Sequence, residues 1–235
     1  MPELSTTLRE RLWALKNELV EQGRLVQRTI ELAAESVFDR SPEKARVVRE
    51  NDDTIDRVDV RIEKDAVRLL ADIVRTGEQV EEYDLRMILT VVKVNNEFER
   101  IADLAVAIAD RVDSFVAMGT EPPPTFRVMA NSVIGIMSTT VRALGQMDTS
   151  AARLVLSSDD ATEAFKQAIL RDVEEGLARG RHTVDYAFGL NQVGTNLARM
   201  ADHCTNVAEQ VIYVETGKIV RHMGDHWTAP TEPGV

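Results

Sequence analysis

Paired carboxylates at helical spacing are the one constellation in this sequence whose side chains could do chemistry: Asp52 with Asp56, and Glu99 with Asp103. Residues four apart leave a helix on the same face, so each pair can offer oxygens to one hard cation or a small metal cluster. Asp59 follows one turn after Asp56. Asp159 and Glu163 repeat the pattern in the second half, where Asp202 is a further candidate ligand, with Ala198 in the place where its acidic partner would stand. Clustered carboxylates repel one another, and a multivalent cation removes that repulsion. Iron, manganese, zinc and magnesium are the candidate ions, and the second set, one carboxylate short, is expected to bind more weakly. The competing reading is a solvated acidic face. At 100° per residue, Glu99 and Asp103 point away from the apolar stripe of Phe98, Ile101, Ala105 and Ile108.

Long helices must position these groups. Leu8, Leu12, Leu15, Leu19 and Val26 stripe a first helix over residues 3–38. Ser41-Pro42-Glu43 reads as the start of a second, which carries Val48, Ile55, Val58, Ile62, Ala66, Leu69 and Ile73 and stops at Gly77. A third is expected over 84–118. The segment GTEPPPT at 119–125 cannot be helical throughout, because proline lacks an amide donor and clashes with the preceding turn. Three more helices are expected at 126–148, 150–179 and 181–217, and the tail at 224–235 lacks periodicity. The halves look alike: RIADLAVAIADRV (100–112) lies over RMADHCTNVAEQV (199–211), with Arg100/Arg199, Ala102/Ala201 and Asp103/Asp202 identical. The expected fold is all-α, six long helices in two similar three-helix bundles: 1–118, a linker at 119–125, and 126–223.

Composition excludes several functions. Across 235 residues, 39 Asp and Glu outweigh 28 Lys and Arg, a net charge of −11, which argues against a nucleic-acid partner. Aromatic content of 5%, with 12 Gly and 7 Pro, favours helices over a turn-rich β-fold. Cys204 is the single cysteine, which rules out an intrachain disulfide, fits a reducing compartment, and lies on an apolar stripe. The first residues show no basic or apolar leader, and no apolar run approaches the roughly 18 residues of a membrane span. The expected location is the cytoplasm, with membrane contact through partners only. Nucleotide-binding glycine loops are missing, as is the ExxH motif of di-iron oxidases. His222 and His226 have chelating spacing but Gly224 between them, His182 lies near the start of the last helix, and His203 lies at the flank of its apolar stripe. Leu85, Leu89 and Val92 form a second apolar set on the third helix, which points to a homodimer.

At the acidic pairs and their repeat, the sequence resembles the PhoU family of bacterial phosphate-uptake regulators. DLRMI (84–88) and EFERIADLAVAIA (97–109) look like that family's DLR and LERIGD signatures. NLARMADHCTNVAEQVIYVETGKIVRH (196–222) is similar to its closing LERIGDxxxNIAE, aromatic-rich turn, Gly and RH, and residues 51–63 to its second-helix pattern. The resemblance implies two three-helix bundles and a non-enzymatic repressor of the phosphate-starvation response. That repressor would be an adaptor between the ATPase-driven phosphate ABC transporter and a sensor histidine kinase. It also implies metal binding on the bundle surface at Asp52, Asp56, Glu99, Asp103, Asp159, Glu163 and Asp202. Departures are Ala198 for Glu, Ala102 and Ala201 for Gly, Asp56 at an Asn-like position, and a longer 77–83 loop. A carboxylate-bridged storage or oxidase bundle, and an accessory protein of another ion transporter, are the alternatives.

Overall fold

Side-chain caps at Ser41, Asp148 and Thr183 mark three of the helix starts. The computed structural model describes residues 5–119 and 121–220, except for the side chains of residues 159 and 160. Helix α1 spans Thr6–Phe38 and buries Leu8, Leu12, Leu15, Leu19 and Val26, as its stripe requires. Helix α2 (Pro42–Thr76) opens on Ser41, whose hydroxyl accepts from the Lys44 N–H, with proline in the first turn. It closes on Gly77 at φ 68°, a left-handed conformation that costs glycine little.

Two expected helices are each interrupted. The third is α3 (Glu82–Ala109) followed by α4 (Val112–Met118) rather than one rod. At the break the Arg111 N–H bonds the Ile108 carbonyl at 3.0 Å, an i→i+3 contact that tightens the turn, and Asp110 is held by Arg49 of α2 at 2.8 Å. The helix expected at 150–179 is α6 (Thr149–Leu156) and α7 (Asp159–Ala178). Ser157 and Ser158 stand between them, and their hydroxyls donate back to the Leu154 and Val155 carbonyls at 2.9 and 2.6 Å, in competition with the helical ladder. Helix α5 (Pro124–Gln146) starts earlier than expected, on the third proline of the run, where a missing N–H is harmless. Helix α8 (Val184–Thr216) is capped by Thr183, which accepts from the Tyr186 N–H at 3.2 Å, and ends at Gly217. His222, His226 and the tail lie outside the described residues.

Helices α1, α2 and α3 pack mutually, as do α5, α8 and the broken α6–α7 pair, giving six helical rods in two three-helix bundles. The bundles join along α3–α8 and α1–α5 and share one contiguous core. At that junction α1 comes so close that a Cβ on Gly23 would lie 2.8 Å from the Phe98 ring of α3 and 3.1 Å from Val141 of α5. Of the second apolar set on α3, Val92 packs against the core, whereas Leu85 and Leu89 are exposed. Among the described residues, no helix is long and apolar enough to cross a membrane.

Candidate functional site

The acidic residues of the first half meet along the seam between α2 and α3. The helices run antiparallel, and their register is fixed by Asn95 of α3, buried at 2% exposure, whose amide donates to the Asp59 carbonyl at 3.0 Å and to the Asp59 carboxylate. Asp52 and Asp56 from α2 then face Glu99 and Asp103 from α3. Burial, followed by the charges of Asp56, Asp103, Asp53 and Glu99, pushes the Asp52 carboxyl up to about 6. Burial and then Asp56 raise Asp103. Glu99 is raised by burial and by Asp103, Asp59 and Asp56, against an opposing pull from Arg100. Asp59 is raised by burial, Glu63 and Asp56, with the Asn95 hydrogen bond working the other way. One oxygen of Asp52, Oδ1, is buried without a hydrogen-bond partner.

The four first-half candidates therefore form one electrostatic unit, which Asp59 and Glu63 extend. These two follow Asp52 and Asp56 at seven-residue spacing, the sequence signal that extends the row along α2. As the side chains stand, no three His, Cys, Asp or Glu groups among the described residues converge on a point that would hold a metal ion.

The second-half set has a different environment. Glu163 is exposed and engaged on its own helix, by Gln167 at 2.8 Å and Lys166 at 3.1 Å, and these contacts hold its carboxyl below the usual range. Asp202 is exposed, Ala198 is buried, and the Asp159 side chain lies outside the described residues. On the opposite flank of α3, Glu97 bridges the two bundles: His203 Nδ1 lies 2.6 Å from its Oε2, to which the Asn206 amide also donates at 3.0 Å. Burial raises the Glu97 carboxyl, but the hydrogen bonds from His203 and Asn206, with the His203 and Arg100 charges, outweigh it and leave it lowered. Sequence reasoning missed this bridge, because nothing local pairs residues on different repeats. Cys204 is fully buried, its thiol pushed up to about 12 by burial, which makes it an inert core group.

The PhoU domain family model matches residues 19–112 and 126–211, one match on each bundle. The chain belongs to the PhoU family. It is 30% identical over 209 residues to the phosphate-specific transport system accessory protein PhoU homolog 1 of Thermotoga maritima, covering 88% of each chain. It is 31% identical over 211 residues to the corresponding PhoU homolog of Aquifex aeolicus, covering 88% of this chain and 92% of that one. The crystal structure of PhoU from Pseudomonas aeruginosa superposes with a TM-score of 0.82 at 26% identity, over 89% of this chain and 99% of that chain. Both curated relatives are named as accessory proteins of a phosphate-specific transport system.

Burial of Asp52, reinforced by repulsion along the seam, makes stability pH-dependent in the metal-free protein. The folded-state pKa of Asp52, about 6, lies above the ordinary 3.8, so the folded state binds the proton more tightly and stability falls as pH rises between those values. Two pKa units would carry roughly 3 kcal/mol in full, and solvent screening of a half-exposed group reduces this to about 1 kcal/mol. Asp52→Asn is expected to be more stable than wild type by that amount at pH 7, with the gap closing below pH ~4. Urea unfolding at both pH values, with chelator present, measures it; a gap independent of pH would contradict the electrostatic account.

Proposed function

We propose that the protein is a negative regulator of phosphate uptake and of the phosphate-starvation response, acting as a non-enzymatic adaptor between a phosphate-specific ABC transporter and a sensor histidine kinase. The observation that supports this most is the family match on both bundles, together with relatives of nearly the same length that are named as accessory proteins of phosphate-specific transport. An adaptor shifts an equilibrium only if it contacts one state of its partner better than another. A helical surface with separated acidic and apolar stretches offers such contacts without chemistry. Deleting the gene in phosphate-replete cells is expected to derepress phosphate-scavenging genes, measured as transcript levels; unchanged expression would remove the reading.

The second part of the proposal is a metal site. Asp52, Asp56, Glu99 and Asp103 are the residues that would hold the ion, and their chemistry fits a hard cation: all-oxygen donors, of which Asp52, Glu99 and Asp103 are raised by burial and then by neighbouring carboxylates, and a buried Asp52 Oδ1 without a partner. A bound multivalent ion would supply neutralisation of this row. Side-chain rotation must accompany binding, because the carboxylates do not converge as they stand.

A further inference from the structure

We propose that the solvent-facing side of the α2–α3 hairpin is a docking site for a basic amphipathic helix of a partner protein. Five large apolar side chains stand in water there: Val60, Val67 and Val74 on α2 at 47%, 59% and 81% exposure, and Leu85 and Leu89 on α3 at 41% and 51%. Single exposed apolar residues are ordinary, whereas a row of them on adjoining ridges marks an interaction surface. The valines are seven residues apart, so they form one line along α2 that drifts by about 20° per step. That line lies on the α3 side of α2, continuous with Asp56 and Glu63. It turns away from the side where Arg61 and Asp72 pair with Glu18 and Arg11 of α1. On α3, Leu85 lies five helical turns before Asp103 and at the same angle.

The antiparallel register set by Asn95 and Asp59 places Leu85 and Leu89 beside the last turns of α2. The seam is thus apolar next to the 77–81 turn and acidic towards Asp52 and Asp103. From Asp52 to Val74 it extends for about 33 Å, enough for a partner helix of about 18 residues.

Charge selects the occupant. A second copy placed on this face by a two-fold axis would bring the same acidic row with it, in a chain whose net charge is already −11. A cationic helix with apolar residues at i, i+3, i+4 and i+7 fits both ends, with apolar anchors on the valine and leucine ridges and Lys or Arg reaching the carboxylates. Arg57, Lys64, Arg68 and Arg75 lie on the outer side of α2, so the cations of the partner must point into the seam. The surface stands on these residues, and the adaptor reading supplies only the reason for a partner.

The test uses the metal-free full chain, with chelator present, and a fluorescent Leu/Lys peptide of about 18 residues patterned as an amphipathic helix. The controls are a scrambled isomer of the same composition and a Leu/Glu version. Anisotropy should show saturable binding of the patterned peptide alone. Val67→Ser combined with Leu89→Ser should weaken it by at least about tenfold with the circular dichroism spectrum unchanged. Asp56→Asn combined with Asp103→Asn should weaken it and flatten its dependence on salt. Equal binding of the scrambled isomer, or indifference to the serine pair, overturns the proposal. So does a wild-type dimer in sedimentation that the serine pair makes monomeric, because the face then belongs to a second copy. These outcomes are independent of the deletion phenotype, so failure of one reading is distinguishable from failure of the other.

Discussion

Titrated with a limiting amount of manganese, the metal-free protein should fill the α2–α3 seam before any site in the second half, and Glu99→Ala should lower the affinity of that first site by about 10–100-fold. The seam offers Asp52, Asp56, Glu99 and Asp103, and burial, followed by the neighbouring carboxylates, disfavours the charged forms of Asp52, Glu99 and Asp103. In the second half Ala198 is buried and supplies no oxygen where Glu99 does in the first, and Glu163 is already satisfied by Lys166 and Gln167. A cation there must displace those contacts and has fewer anionic ligands to gain. Calorimetric titration of wild type and Glu99→Ala, with anomalous scattering to locate the ions, decides it. First occupancy beside Asp202 would overturn the ligand count, and no binding of manganese, iron or zinc would leave the carboxylates as a solvated acidic face.

The second large effect is expected at the junction of the two bundles. Phe98→Ala should cost about 3–5 kcal/mol, because the ring is fully buried where α1, α3 and α5 meet and the surrounding helices cannot collapse into the space. In a chain of this length that corresponds to a fall in melting temperature of about 6–20 °C. Gly23→Val alone should cost about 1–3 kcal/mol by overpacking, since even a Cβ would stand 2.8 Å from Phe98. Combined, the two should cost less than the sum of the single changes, because the added methyl groups enter the space the ring vacates. Chemical unfolding of the four proteins closes the cycle. Simple additivity would show that Gly23 and Phe98 do not compete for one volume.

The start and stop of α2 were legible in the sequence because capping is local chemistry. Ser41-Pro42 and Gly77 bound α2 through hydrogen bonds and φ values that involve only near neighbours. The apolar stripes were legible for the same reason, the 3.6-residue period being a property of one helix. The acidic i, i+4 pairs and the repeat of Arg100–Asp103 as Arg199–Asp202 were read from spacing, and the ordered motifs pointed to the family.

What the sequence could not determine is which faces meet, since a helical period says nothing about the register of one helix against another. The Asn95–Asp59 hydrogen bonds set that register on the α2–α3 seam, joining Asp59 and Glu63 to the four predicted carboxylates. The tertiary structure also decided that Glu163 bonds within α7, that Glu97 meets His203 across the bundles, and that exposed Leu85 and Leu89 join a valine ridge on α2. The break at Asp110–Arg111 also belongs to this class, because Arg49 of α2 holds Asp110 there. The break at Ser157–Ser158 does not: its serine hydroxyls bond the preceding turn, a local competition that an apolar stripe does not register.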